Sequence, residues 1–238
     1  MRQVQSIMQL SKRLSAIARL VTRGNRLADV GCDHGYIPIA LTEAGVIPGA
    51  IAMDVNEGPL ERARKNISKS AAAPYIETRL SDGLEALEPG EADTLLIAGM
   101  GGCLTVDILN ARLETVHSMK ELILQPQSDI DRVRRCLAEN GFLIIQEDMV
   151  CEDGKYYQMM KAVPGKMEYD REIFFLYGKL LLEAGHPVLQ EYLKKKQHNN
   201  EKILKQIWEQ GQSESEKRTA EIRQEMQKII SALEYYDM

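Results

Sequence analysis

The sequence predicts an α/β protein, a doubly wound, Rossmann-like sheet that is parallel but for one late antiparallel strand, followed by a C-terminal antiparallel helical coiled coil. Three observations predict it. From about residue 26 to residue 147, short apolar runs alternate with amphipathic helical stretches, the rhythm of βαβ units. Asp153-Gly154 then joins two apolar runs as a hairpin turn. After His186 the strand pattern stops and a charged, glutamine-rich stretch keeps only helical periodicity. The expected division is a domain over 1–178 and a helical domain over 179–238.

Ile7, Leu10, Leu14, Ile17 and Val21 recur at helical spacing, so an amphipathic helix precedes Gly24. A strand over Arg26 to Val30 runs into the turn Gly31 to Gly35, and a helix follows from Tyr36 to Glu43 with Pro38 in its first turn. Next come a strand at Ala50 to Asp54, a helix at Pro59 to Ser68, and strands at Tyr75 to Leu80 and Thr94 to Ala98. A helix from Leu104 to Leu113, a strand at Leu122 to Gln125 and a helix at Ile130 to Glu139 complete the alternation. The hairpin pairs Phe142 to Val150 with Tyr156 to Val163, an arrangement that simple dinucleotide dehydrogenases usually lack.

In the tail, Pro187 opens a helix carrying Leu189, Tyr192, Leu193, Ile203, Leu204, Ile207 and Trp208, which Gly211 stops. Ser213 and Glu216 have capping-box spacing for a second helix. Its apolar positions Ile222, Met226, Ile229, Leu233 and Tyr236 step by four, three, four and three, a coiled-coil seam. So short a connection predicts an antiparallel pair whose seam is filled from within, and hence a monomer.

Composition excludes several classes. The 238 residues carry 30 basic and 35 acidic side chains, a net charge of -5, which rules out a uniformly basic nucleic-acid coat. No apolar stretch approaches the roughly 18 residues a bilayer span requires. Cys32, Cys103, Cys136 and Cys151 are too sparse for a disulfide framework and lack paired spacing for zinc, so a cytoplasmic protein with no metal is expected. The acid-free segment 1–28 also has the composition of an organellar transit peptide, but strand character begins at once at Asp29 and leaves no room for a linker.

The chemistry is concentrated in Leu27-Ala-Asp-Val-Gly-Cys-Asp-His-Gly35. Gly31 and Gly35 permit close approach to the backbone, but the spacing fails as GxGxxG, and Asp33 stands where a middle glycine would. A carboxylate there repels a pyrophosphate and tolerates the ammonium and sulfonium of S-adenosylmethionine. Asp29, Gly31, Cys32, Asp33 and Gly35 are therefore expected cofactor residues. Asp54, with Val55, ends the second strand 23 residues after Gly31, the place from which a carboxylate accepts ribose hydroxyls. Asp82 and Gly83 follow the third strand, where Asp82 meets the adenine amino group. Taken singly, each acid is also a common cap or turn former. Three at successive strand ends favour a bound adenosyl group.

The fourth strand ends in Ala98-Gly-Met-Gly-Gly102 rather than the Asn/Asp-Pro-Pro-aromatic tetrad of many amino-methylating enzymes. Ala98 and Gly99 complete the expected cofactor set. Bare backbone at Gly99, Met100 and Gly101 lets a flat base approach a methyl donor, although a loop needing glycine for packing reads the same way. Gln125-Pro126-Gln127 offers amides for a base edge, or a polar turn.

The motifs DVGCDHGYIP at Asp29 to Pro38, SDG at Ser81 to Gly83, AGMGG at Ala98 to Gly102 and LQPQ at Leu124 to Gln127 lie between a basic front helix and a helical tail. Together they resemble the bacterial tRNA adenine-22 N1-methyltransferase family across essentially the whole chain. The resemblance implies a class I methyltransferase domain, S-adenosylmethionine as donor, a coiled-coil tail, and N1 of an adenine in the tRNA D-arm as acceptor. Adenine N1 offers an in-plane lone pair, so alignment and desolvation suffice without a general base. His34 and Tyr36 flank the loop and are candidates to hydrogen-bond or stack the base. A paired adenine hides N1, so the nucleotide must be unpaired or extruded.

RNA backbone also calls for cations. Arg13, Arg19, Arg23 and Arg26 in the acid-free segment, and Lys194 and Lys195 in the tail, are the expected phosphate contacts, with solvated helix faces as the plainer account. A small-molecule or protein methyltransferase, and a catalytically silent cofactor-binding module whose tail docks a partner, are the competing readings.

Overall fold

The computed structural model describes residues 10–210 and 215–237. The chain divides into two compact units, Met1–Glu168 and Tyr169–Met238. The first is a seven-stranded sheet in the order β3-β2-β1-β4-β5-β7-β6. Its strands are β1 Leu27–Val30, β2 Ala50–Asp54, β3 Ile76–Leu80, β4 Thr94–Ala98, β5 Glu121–Gln125, β6 Phe142–Glu152 and β7 Lys155–Pro164. β7 runs antiparallel to both neighbours; the remaining pairs are parallel. β1, β2 and β5 are buried along their whole length, as strands covered on both faces must be. At the β6 edge the register shifts between Ile144 and Gln146, which leaves Ile145 as the unpaired, exposed residue of a bulge.

Helices α1 Lys12–Leu20, α2 Tyr36–Glu43 and α3 Glu57–Ser68 share one core with Leu27, Ala52, Leu96 and Ile123. Side chains alternate along a strand, so Asp29, Asp54, Ala98 and Gln125 face this same layer. α4 Gly102–Ala111, α5 Leu113–His117 and α6 Ile130–Glu139 follow β4 and β5. On α6 the fully buried Arg134 donates to Glu147 at 2.8 Å and to Gln158 at 2.8 Å, tying that helix to β6 and β7.

Several expected boundaries shift. Ser11 caps α1 by accepting from the Leu14 N–H, so Leu10 precedes the helix, and Ile7 lies outside the described residues. The single helix expected over Leu104 to Leu113 is two, because Arg112 leaves helical geometry. β6 extends to Glu152, beyond the expected Val150.

The second unit holds α7 Glu172–Tyr177, α8 Lys179–Glu183, α9 Pro187–Gln210 and α10 Ser215–Leu233. α7 falls in this unit, where Arg171 donates to the Tyr235 hydroxyl at 2.8 Å and Phe174 meets the Tyr235 ring edge-on. α9 and α10 run antiparallel, with Asn200 paired to Glu225 and the Tyr236 hydroxyl donating to the His186 carbonyl. The α10 positions Ile222, Met226, Ile229 and Leu233 are buried or half-buried, as expected, and so is Tyr236, which lies in a 3-10 turn just past the helix. Trp208 is not: it is 84% exposed, because the inward row of α9 passes through Ile207 and the next residue turns about 100° away. Gly211 and Ser213 lie outside the described residues. No helix among the described residues is long and apolar enough to cross a membrane.

Candidate active site

β2 and β3 lie on one side of β1, and β4 on the other. The chain therefore reverses direction across the sheet at β1 and β4, and the loops leaving their carboxyl ends diverge to open a crevice. A cleft of about 320 Å³ lies there. Asp29, Gly31, Cys32 and Asp33 form one wall, Ala98 and Gly99 another, and His34, Tyr36, Gln127 and the α1 residues Arg13 and Leu14 close it.

The first loop is held by its own backbone. The N–H groups of Gly31 and Cys32 both donate to the Met53 carbonyl, at 2.8 and 2.9 Å, and fold the chain back over β2. Gly31, Asp33 and Gly35 take positive φ values of 72°, 44° and 68°. A Cβ on Gly31 would collide with the Met100 side chain, so the first and fourth loops touch at this point. The fourth loop is braided to the fifth: Gly99 N–H donates to the Gln125 carbonyl at 3.0 Å, Gln127 N–H to Met100 at 2.8 Å, and Gly102 N–H to Ser128 at 3.0 Å. Gly99 and Gly101 thus present bare backbone within a rigid pair of turns.

Electrostatics sets Asp29 apart. Burial, assisted by the Asp54 carboxylate, pushes its pKa up to about 7. The Cys32 thiol is pushed well above its ordinary range, first by burial and then by Asp29 and Asp54, so it stays a neutral packing group. Asp54 is buried and accepts the Asn56 N–H at 2.9 Å, while Val55 beside it is 55% exposed. Asp54 is paired in register with Leu80, and Ser81 N–H donates to the Asp54 carbonyl at 3.0 Å, which sets exposed Asp82 and buried Gly83 at the adjoining strand end. Asp54, Val55, Asp82 and Gly83 lie outside the cleft lining, along its β2–β3 side, and Gly35, Met100 and Gly101 also fall outside it.

Asp33 has partners of its own. Arg62 of α3 approaches its Oδ1 at 2.6 Å, and His34 Nε2 stands 3.5 Å from Oδ2. The carboxylate charge expected to face a cationic ligand is partly satisfied by the protein. The His34 and Tyr36 rings stack 5.0 Å apart and 8° from parallel, making a flat surface at the cleft edge.

Within the first unit the four arginines do not form one patch. Arg13 points into the cleft, donates to Gln125 Oε1 at 2.7 Å and lies 5.4 Å over the Tyr157 ring. Arg19 pairs with Asp148 at 3.5 Å, and Arg23 is exposed. Arg26 precedes β1, at the opposite end of the strand from Gly31 and about 16 Å away along an extended chain. Lys194 and Lys195 are exposed on α9, whereas the third lysine of that run, Lys196, is held by Glu225 at 2.6 Å. The sequence reading missed α1 as a wall of the cleft. Only folding across 112 residues joins Arg13 to Gln125, and no local pattern signals it. No group of three potential metal ligands occurs among the described residues.

Comparison with known proteins places this geometry. The methyltransferase-domain family matches residues 10–160. The curated tRNA (adenine(22)-N(1))-methyltransferase of Bacillus subtilis (strain 168) is 34% identical over 216 residues, covering 88% of this chain and 90% of that protein. The crystal structure of Streptococcus pneumoniae Sp1610 in complex with S-adenosyl-L-methionine aligns with a TM-score of 0.85 at 33% identity, over 94% of this chain and 100% of that one. The B. subtilis tRNA methyltransferase TrmK aligns with a TM-score of 0.84 at 29% identity, over 94% and 99%. By sequence, fold and extent of coverage, the chain belongs to the bacterial tRNA (adenine(22)-N(1))-methyltransferase family.

Proposed function

We propose that this protein transfers the methyl group of S-adenosylmethionine to N1 of an adenine in the tRNA D-arm. The observation that carries this reading is the cleft itself: a buried carboxylate, Asp29, faces bare backbone at Gly99 across a glycine turn, in a chain related to such enzymes over nearly its whole length.

The residues present suit the donor. Asp29 and Asp54 place two buried carboxylates on one face of the sheet, where an ammonium and a sulfonium offset charge that would otherwise be costly to bury. In this reading Asp29, Gly31, Cys32, Asp33 and Gly35 hold the amino acid end with Ala98 and Gly99, while Asp54 and Val55 take the ribose and Asp82 and Gly83 the adenine. When bound, the donor supplies an electrophilic methyl group on a sulfonium.

The chain's own work is alignment. Adenine N1 carries a lone pair at neutral pH, so no side chain has to remove a proton before attack. Gly99, Met100 and Gly101 supply backbone that lets a flat base lie close, and the stacked His34–Tyr36 pair offers it a face. Leu14 and Ile37 line the same space and help to exclude water from it. Arg19, Arg23, Lys194 and Lys195, all exposed, are the cations proposed to meet phosphates. Four free cysteines support a cytoplasmic location, and a tail seam filled by its own helices supports a monomer.

Incubating the protein with labelled donor and total tRNA, then identifying the modified nucleoside by mass, tests the reading, with N1-methyladenosine as the expected product. Undiminished methylation of a nuclease-treated acceptor pool would instead assign a small-molecule or protein substrate. Donor binding without any methylation would leave a silent binding module. Changing Arg19 and Arg23 to Ala should weaken tRNA affinity and flatten its salt dependence while cofactor affinity is retained.

A further inference from the structure

Two side-chain amides follow β5, and the structure separates them. Gln125 is fully buried, its Oε1 accepting from Arg13 at 2.7 Å and its Nε2 donating to the Pro126 carbonyl at 3.2 Å. That amide is spent inside the protein. Gln127 is exposed, lines the cleft, and has no side-chain partner among the described residues. Its backbone is nevertheless fixed by the hydrogen bond to Met100, and its Nε2 lies 3.7 Å from the position of a Cβ on Gly99. A free carboxamide is thus held over the bare backbone at which the acceptor base is proposed to arrive. The charged groups lining the cleft are committed: Arg13 to Gln125, Asp33 to Arg62 and His34, and Asp29, in the proposed function, to the donor.

We propose that Gln127 reads the Hoogsteen edge of the target adenine and selects adenine over guanine. This rests on adenine N1 being the acceptor. Methyl transfer to N1 occupies the Watson–Crick edge, so a protein group that reads the base without covering N1 must use N7 and the outward hydrogen of the 6-amino group. A carboxamide matches both, with Oε1 accepting from N6–H and Nε2 donating to N7. Guanine presents two acceptors there, O6 and N7, and the amide oxygen would face O6 with no hydrogen between them.

The test uses tRNA carrying adenine, purine or 7-deazaadenine at the target position, with wild type and Gln127→Met. Purine lacks the 6-amino group and 7-deazaadenine lacks N7. Comparing each adenine-to-analogue ratio of kcat/KM between the two proteins cancels differences in intrinsic N1 reactivity. The expected result is a fall in both ratios of about 10- to 100-fold in the variant, with cofactor affinity unchanged by calorimetry. Gln127→Glu, which keeps the acceptor and loses the donor, should shift preference toward 7-deazaadenine. Ratios equal to wild type in both variants would overturn the proposal. Failure of wild type to methylate the adenine-bearing tRNA at all would overturn the activity beneath it, and so separates the two.

Discussion

Arg13 of α1 donates through Nη1 to Oε1 of Gln125 at 2.7 Å, joining residues 112 positions apart at the wall of the cleft. The contact fastens the amino-terminal helix to the turn that carries Gln127. Gln125 is fully buried, so removing the guanidinium leaves its oxygen without that donor and loses the packing over Tyr157. Arg13→Ala should lower the unfolding free energy by about 1–3 kcal/mol and reduce methylation, while Arg23→Ala stays within about 0.5 kcal/mol of wild type. Urea titrations of both variants decide it; equal midpoints would remove Arg13 from the scaffold.

Asp29 makes donor binding depend on pH. Its carboxyl sits at about 7 because burial, and then Asp54, penalise the charge. Only the ionised form receives an ammonium, so affinity should fall by up to tenfold per pH unit below about 7, with proton release on binding. Calorimetry in buffers of differing ionisation enthalpy measures that release, and a flat profile between pH 6 and 8 would contradict the assignment.

The same shift carries a folding cost. The ordinary value is 3.8, so the penalty is absent below pH 3.8, grows as pH rises toward 7, and is complete above it at about 4 kcal/mol. Asp29→Asn should therefore stabilise the protein by about 2–4 kcal/mol at pH 8 while losing cofactor affinity. Thermal melts across that range test the sign; a variant less stable than wild type at pH 8 would refute it.

Gly102 starts α4 where no side chain fits. A Cβ there would lie 2.5 Å from the Asp129 carbonyl oxygen, and backbone cannot yield as a side-chain tip does. Gly102→Ala should cost about 3 kcal/mol and loosen the braided turns. At Gly101 a Cβ meets only Ser128 Oγ at 3.4 Å, so Gly101→Ala should melt close to wild type and separates steric damage from the loss of any glycine.

In the tail, Glu225 accepts from Lys196 at 2.6 Å and from the buried Asn200 at 2.8 Å. Burial raises its pKa, but the hydrogen bonds from Lys196 and Asn200 outweigh it and hold the carboxyl below its ordinary 4.5. The stabilisation is present above pH 4.5 and is lost as pH falls through the lowered value. The pair is partly solvated, so Glu225→Gln should cost about 1 kcal/mol at pH 7. Helical melting curves of the full chain should differ at pH 7 and converge in acid.

Periodicity and turn chemistry act over a few residues, which is why the alternation of strands and helices, the glycine-bearing loop at Gly31 to Gly35 and the acids at strand ends are legible in the linear order. The hairpin at Asp153-Gly154 and the seam at Ile222, Met226 and Ile229 belong to the same category. Pairings across the fold are different. Asp33 looks free for a ligand until α3 brings Arg62 against it, and the four early arginines look like one patch until β1 holds Arg26 at the far end of the strand from the cleft. Gln125 and Gln127 are alike in composition and two residues apart, yet Gln125 closes β5 and is buried under α1, whereas Gln127 lies beyond the strand end in the turn that faces the site. Local steric preferences fix which elements form; which side chains remain unspent depends on neighbours from other elements, 29 residues away for Asp33 and 112 for Gln125, and only packing supplies those.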